Sequence, residues 1–250
     1  MSMEFVLIHG TWHGGWAWKE VIECLSRKGH RAHAPTLAGH GPSATRLGVT
    51  HRDCVASVVS YIRQHSLENI SLVGHSFGGT VVQKVAEELP ARIRRTIFLN
   101  ALILNDTQCV FDILPDVFLE ALKPKPNGNP MATVPDETNQ ILAPAPWQTW
   151  LDNFIQDAPE SLARSTWEQL SAEPNQVNLD RLDLKRFYSI AISKSFIFCR
   201  QDRAMPPGYF HPGMSSRLGP HKLVEMDGSH EVMFTRPAEL ADKIIEASMD

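Results

Sequence analysis

The serine at position 76 stands where a nucleophile would be expected. It is the central residue of Gly74-His75-Ser76-Phe77-Gly78, which matches the pattern Gly-x-Ser-x-Gly. An apolar run ends at the first glycine and a helix-like stretch follows, so the serine falls on a sharp strand-to-helix turn. The glycines leave room for that turn, because a Cβ there would collide with a neighbouring strand or helix. Five-residue patterns also arise by chance, but this position favours a nucleophile.

A serine hydroxyl at neutral pH needs a base to take its proton, and the base needs an acid to hold its tautomer. His230 follows the last predicted strand, and Asp202 follows the strand before it. The order Ser76, Asp202, His230 is the nucleophile–acid–base order of one fold family. All three come just after predicted strands, where open parallel sheets place their sites. We therefore expect them to converge.

Other residues could supply the acid. Asp106 is the alternative, ahead of Asp180 and Asp183, because it comes shortly after another predicted strand. Asp227 is too close to His230 along the chain and is expected to shape the turn instead. Further histidines lie in motif loops, where we expect them to form hydrogen bonds that shape those loops; they are His9, His13, His40 and His75.

The tetrahedral intermediate of acyl transfer needs two N–H donors for its oxyanion. The main-chain N–H of Phe77, directly after the nucleophile, is one candidate. The second is expected from the Gly-rich loop after the first strand, where Thr11 is the leading candidate. Gly10, Trp12 and His75 in these loops are expected to line a substrate pocket.

The first hundred residues alternate short apolar runs with helical patterns, which predicts a parallel sheet wrapped by helices. The predicted strands are 5–8, 30–34, 70–73, 94–99, 195–199 and 222–226. The predicted helices are 17–28, one that starts after Thr50, one through 81–86, part of 208–218, and 237–247.

Residues 100–188 look different, because prolines cluster there and helical pieces at 147–155 and 160–169 are separated by turns. No strand is predicted among them. We expect a helical cap inserted after the strand ending near Leu99, within a single domain of residues 1–250. Its large apolar side chains should mostly bury the cap, while a minority touch ligand. They are Phe111, Leu114, Phe118, Leu119, Trp147, Trp150, Phe154 and Trp167, with Trp147 and Trp150 as pocket candidates.

Composition narrows the classes of function. The 250 residues are 43% apolar and 21% charged, with a net charge of −4, which suits one globular domain. No long charge run indicates nucleic acid, and no apolar stretch approaches a membrane span. No signal peptide is expected, and four scattered cysteines suggest thiols in a reducing cytoplasm. We expect no metal and no cofactor; a homodimer stays open.

Several motifs together resemble the α/β-hydrolase superfamily: His9-Gly10, the loop Gly39-His40-Gly41-Pro42-Ser43, the stretch 74–79, Asp202 and His230. The stretch 9–16 resembles the hydroxynitrile lyase and plant methylesterase branch, which also includes small bacterial esterases. The resemblance covers nearly the whole chain and is weakest in the cap. It implies an α/β-hydrolase fold and a cofactor-independent hydrolase acting on a small or medium apolar carboxylic ester.

Two positions depart from the lyases of that branch, which carry a threonine after the first-loop histidine and a lysine after the catalytic histidine. This chain has Gly10 and Glu231 there. Without the lysine nothing stabilises a departing cyanide ion, and Glu231 would oppose it. Ester hydrolysis is therefore expected over cyanohydrin cleavage. A C–C hydrolase, a cofactorless oxygenase and a catalytically silent ligand receptor are the alternatives on such a scaffold.

Overall fold

A computed structural model describes residues 2–116 and 141–250 of the chain. Its strands in these ranges are β1 Glu4–Ile8, β2 Arg31–His33, β3 Ile70–His75, β4 Ile93–Leu99, β5 Ile141–Leu142, β6 Glu173–Pro174, β7 Ser193–Cys199 and β8 Lys222–Met226. Six of them form one sheet in the order β2-β1-β3-β4-β7-β8, and every neighbouring pair is parallel. The predicted α/β-hydrolase fold with a parallel sheet is confirmed.

Helices cover both faces of this sheet. The long ones are α1 Lys19–Arg27, α2 His51–Gln64, α3 Gly78–Glu88 and a closing helix Pro237–Ser248, and a short helix Val232–Thr235 follows β8. Successive side chains of β1 enter opposite cores. Phe5 and Leu7 pack with α1 and the closing helix, whereas Val6 and Ile8 pack with α2 and α3. Burial on both faces explains why residues 5–8 of this strand are all apolar.

Two predicted helices differ from the observed ones. The predicted helix 17–28 is divided, because a 3₁₀ turn occupies Gly15–Trp18 before α1 begins. Region 208–218 contains a π-helical turn, Tyr209–Met214, and a 3₁₀ turn, Ser215–Leu218, instead of a regular helix. Pro212 lies inside the first of these turns and has no main-chain N–H to donate.

The segment between β4 and β7, which we call the cap, contains mostly short helices in its described part. They are Trp147–Thr149, Glu160–Trp167, Gln176–Leu179 and Lys185–Ser189, with a π-helical turn Trp150–Phe154 and a 3₁₀ turn Val110–Asp112. The expectation of no strand here is wrong, because β5 pairs with β6 in a small antiparallel sheet. Strands of two residues carry no readable alternation. Phe118 and Leu119 lie outside the described residues.

Two further observations concern the whole described chain. All four cysteines, Cys24, Cys54, Cys109 and Cys199, are buried and free. Within residues 2–116 and 141–250, no helix has the length and apolar character needed to cross a bilayer.

Candidate active site

Ser76 occupies the turn between β3 and α3. Its φ is 51°, a left-handed conformation that residues other than glycine rarely adopt. Both glycines of the motif are sterically required. A Cβ on Gly74 would lie 2.7 Å from the carbonyl oxygen of Gly78, and a Cβ on Gly78 would lie 2.6 Å from the carbonyl oxygen of His9. The turn therefore packs directly against the end of β1, which pairs with β3.

His230 follows β8 and is held by Asp202. Its Nδ1 lies 2.6 Å from Oδ2 of Asp202, and both side chains are buried. Because a carboxylate only accepts, the ring donates from Nδ1, and in the neutral ring Nε2 carries the lone pair. His230 and Ser76 line the same cavity. The structure thus brings together a serine, a buried histidine and a buried carboxylate.

The surroundings of His230 set its pKa and orientation. Burial lowers the pKa of His230, but the charge and hydrogen bond of Asp202, and then the charge of Glu231, raise it, and the pKa lies above its ordinary value. His75 donates from Nε2 to the main-chain oxygen of His230 at 3.0 Å. Burial, and then the charge of His230, lower the pKa of His75 well below its ordinary value. His75 is therefore a neutral donor beside His230.

Asn100 is a site residue that the sequence analysis missed. Its Nδ2 donates to Oδ2 of Asp202, and its Oδ1 accepts the main-chain N–H of Cys199 at 3.0 Å. The main-chain N–H of Ala204 donates to Oδ1 of Asp202 at 2.7 Å. Asn100 is fully buried directly after β4 and has a φ of 34°. A polar residue directly after the apolar end of β4, residues 97–99, was the available signal.

The alternative acids have other partners. Asp106 accepts the main-chain N–H of Leu184 at 2.9 Å. Asp180 accepts the first N–H of α2 at 2.8 Å, and Asp227 is paired with Arg200 at 2.9 Å. These three carboxylates do not contribute to the cavity wall formed by the described residues. Asp202 is the carboxylate that contacts His230.

Two main-chain N–H groups beside the serine are free to bind an oxyanion. Within residues 2–116 and 141–250, the N–H groups of Thr11 and Phe77 donate to no other group. The neighbouring N–H of Trp12 is occupied, because it donates to Oε2 of Glu173 at 2.9 Å. This arrangement favours Thr11 and Phe77 as the two donors.

The cavity beside Ser76 has a mainly apolar wall. In the described part of the chain its wall is formed by Thr11, Trp12, His75, Ser76, Leu102, Val110, Phe111, Leu114, Leu142, Phe154, Asn178, Ala204, Met205, His230 and Glu231. Nine of these residues are apolar. Trp12 and His75, which were expected to line a substrate pocket, are among these residues. Gly10 lies behind this wall, where a Cβ would come 3.0 Å from Cβ of Ser76.

Two other predicted pocket residues point elsewhere. Trp150 is fully buried in the cap, and its Nε1 donates to the main-chain oxygen of Ala163 at 3.2 Å. Trp147 packs beneath the guanidinium of Arg164, 3.6 Å from the ring centre. Neither tryptophan is among the described residues that line the cavity, because both pack within the cap. Sequence periodicity does not give side-chain direction in such short helices.

One group of side chains at the cavity could bind a cation. Ring nitrogens of His75 and His230 and a carboxylate oxygen of Glu231 lie within 4.8 Å of one another. Imidazole and carboxylate are ordinary ligands for zinc and similar ions. A cation bound there would take the lone pair that His230 needs as a base. The group is therefore better suited to contact an organic ligand.

Several known proteins are similar to this chain in sequence. A sequence profile described as Alpha/beta hydrolase family matches residues 5–243. The carbendazim hydrolyzing esterase of Nocardioides sp. (strain SG-4G) is 28% identical over 96% of this chain and 97% of its own length. An alpha-hydroxynitrile lyase of Arabidopsis thaliana is 25% identical, covering 98% of this chain and 97% of its own.

A solved structure also resembles this chain over nearly its whole length. An extracellular α/β-hydrolase from a Paenibacillus species, described as sharing structural and functional homology with tobacco salicylic acid binding protein 2, has a TM-score of 0.90. It is 34% identical and covers 99% of this chain and 100% of its own. The expected enzyme class, carboxylic ester hydrolase, is confirmed by these relatives at the level of class. The chain belongs to the α/β-hydrolase family.

Proposed function

We propose that this protein hydrolyses a small or medium apolar carboxylic ester through an acyl-enzyme on Ser76. The observation that carries the proposal is the 2.6 Å contact of His230 Nδ1 with Asp202 Oδ2, at a cavity that Ser76 also lines. This contact leaves Nε2 of His230 to accept the seryl proton. The apolar wall suits the hydrocarbon part of such an ester.

The reaction runs in two halves. His230 takes the proton from Ser76 as its Oγ attacks the ester carbonyl carbon, and Asp202 stabilises the imidazolium. The N–H groups of Thr11 and Phe77 bind the oxyanion. His230 then gives its proton to the departing alcohol oxygen as the carbon–oxygen bond breaks. In the second half His230 activates a water, which attacks the acyl carbon and releases the acid and Ser76.

Replacing the nucleophile tests the proposal. Ser76→Ala should lower kcat by about 10⁴-fold or more, by analogy with other serine triads. A panel of p-nitrophenyl and methyl esters of graded acyl size supplies the assay, and the exposed Ser216→Ala is the matched control. Near-full activity in Ser76→Ala would contradict the mechanism. A fluorophosphonate that fails to label wild-type Ser76 would favour the silent receptor.

Cyanohydrin cleavage is the second candidate, because one relative is named an alpha-hydroxynitrile lyase. Burial raises the pKa of Glu231 to about 8, so this carboxyl is mainly neutral at pH 7. It opposes a departing cyanide ion less than an ionised glutamate would, yet it supplies no positive charge. We expect ester turnover to exceed cyanide release from mandelonitrile when both are measured. The reverse ratio would favour the lyase.

A further inference from the structure

Glu231 is a buried carboxyl group that the proposed reaction does not use. Only 2% of its surface is exposed, and it lines the cavity beside His230. Its Oε2 is inaccessible to solvent, and no described residue forms a hydrogen bond with it. Buried polar groups in folded proteins nearly always have partners, so an unpartnered one at a cavity wall needs an explanation. A bound ligand is the simplest candidate partner.

His13 lies beside Glu231 without forming a hydrogen bond to it. Nδ1 of His13 donates to the main-chain oxygen of Thr11 at 2.7 Å, so its Nε2 carries a lone pair in the neutral ring. That Nε2 lies 3.4 Å from Oε2 of Glu231. Burial lowers the pKa of His13 to about 4 and raises that of Glu231 to about 8, so both are neutral between these values. The contact does not have hydrogen-bonding geometry, so Nε2 of His13 and Oε2 of Glu231 both stay without a hydrogen-bonding partner among the described residues.

The carboxyl group of Glu231 therefore has an oxygen, Oε2, that accepts no hydrogen bond from the described residues. A carboxyl oxygen can accept a hydrogen bond whether the group is neutral or ionised. The carboxyl group also lies close to the reacting centre, because one of its oxygens is within 4.8 Å of ring nitrogens of His75 and His230. A substrate positioned against Ser76 would thus place its nearest substituents beside Glu231.

We propose that Glu231 accepts a hydrogen bond from a hydroxyl or N–H group that the substrate carries close to its scissile ester. This inference rests on the proposed ester hydrolysis. A neutral donor fits better than an ammonium group. A fixed positive charge there would oppose the imidazolium that forms on His230 during the reaction. The substrate class is therefore an ester with an apolar body and one polar hydrogen beside the carbonyl.

Matched substrates test this recognition in the wild-type enzyme. Methyl mandelate, methyl α-methoxyphenylacetate and methyl phenylacetate compare a donor, a blocked donor and no donor on the acyl side. Phenylacetate esters of 2-hydroxyethanol and 2-methoxyethanol make the same comparison on the alcohol side. We expect the hydroxyl compound of one series to exceed its methoxy partner by about tenfold in kcat/KM, the size of one good hydrogen bond. Equal values in both series would overturn the proposal.

Two variants assign the preference to Glu231. Glu231→Met keeps a similar volume but removes the acceptor, and it should abolish the hydroxyl preference. Glu231→Gln retains a carbonyl oxygen as acceptor, so it should keep the preference. A preference that persists in Glu231→Met would overturn the assignment. If that variant does not fold, Glu231→Leu, which also lacks the acceptor, takes its place, and a preference that persists there overturns the assignment.

Binding to Ser76→Ala separates this proposal from ester hydrolysis. The dissociation constants of methyl mandelate and its methoxy analogue are measured with that variant and with the double variant that adds Glu231→Met. A hydroxyl preference that depends on Glu231, without turnover of any ester by wild type, would support the recognition and contradict the hydrolysis. Turnover without such a preference would contradict the recognition alone.

Discussion

At the scale of single residues, the proposed base, His230, is held by a short series of hydrogen bonds. Asn100 donates to Asp202, Asp202 accepts from His230, and His75 donates to the main chain of His230. Phe154 and Phe210 flank the imidazole, with ring centres 5.6 and 5.4 Å away. A ring held on all these sides has little freedom to turn, which is what proton transfer in a fixed direction requires.

The raised pKa of His230 predicts how activity depends on pH. The base must be neutral, so kcat/KM should rise with pH through a value above 6.5, the ordinary pKa of histidine, and then level off. Asp202→Asn removes the negative charge that raises this pKa. The rise should therefore move to lower pH, while kcat falls by about 10⁴-fold, as in other triads that lose their acid. A pH–rate profile measures both effects.

The exposed Asp227→Asn is the control for that change of charge. Asp227 lies only three residues from His230 in the chain but is paired with Arg200 at the surface. We expect its profile to match the wild type. A profile for Asp202→Asn with an unchanged or higher midpoint would show that Asp202 does not set the pKa of His230.

At the scale of elements, the cap is joined to the loop that carries Thr11. Glu173 on β6 is fully buried, and its Oε2 accepts the N–H of Trp12 at 2.9 Å. Nε2 of His40 lies 3.2 Å from the same oxygen, and Oε1 accepts from Asn178 at 3.1 Å. A single cap carboxylate thus fixes the backbone next to a proposed oxyanion donor.

Loss of this carboxylate should affect both stability and catalysis. Glu173→Ala leaves the buried N–H of Trp12 without a partner, and we expect the free energy of unfolding to fall by about 2–4 kcal/mol. Because the loop beside Thr11 loosens, kcat should fall more than KM rises. Urea unfolding and steady-state kinetics measure these effects. Glu160→Ala, an exposed change in the same cap, should alter neither. Destabilisation with unchanged kcat would restrict Glu173 to a structural role.

At the scale of the whole molecule, some features could be predicted from sequence and others could not. Apolar strands that alternate with amphipathic helices give a periodic pattern of apolar residues, so the parallel sheet could be predicted. Ser76, Asp202 and His230 could be proposed as a group because each follows a strand. Asn100 also follows a strand, but the sequence does not show its contact with Asp202 or the contact of Glu173 with Trp12, since these partners lie more than 100 residues away in the chain.

Buried neutral histidines are a second property of the whole molecule. Burial is the main cause that lowers the pKa of His9, His13, His51 and His75, to about 4 for His13 and His51. Below pH 6.5, the ordinary pKa of histidine, these side chains bind a proton in the unfolded chain but stay neutral in the folded chain. The free energy of unfolding should therefore fall as the pH falls from about 6.5 towards 4. The raised pKa of Glu231 has the opposite effect, because its contribution to the free energy of unfolding falls as the pH rises towards about 8.

His51 allows the contribution of one histidine to be measured away from the cavity. It begins α2, and its Nε2 lies 2.9 Å from Oγ1 of Thr80. His51→Gln can keep a hydrogen bond there without titrating. The slope of unfolding free energy against pH between about 4.5 and 6 should therefore decrease by about one proton, or about 1.4 kcal/mol per pH unit. Urea unfolding at a series of pH values measures the slope. The control, the exposed His65→Gln, should leave this slope unchanged. A slope in His51→Gln equal to that of the wild type would mean that folding does not alter the protonation of His51.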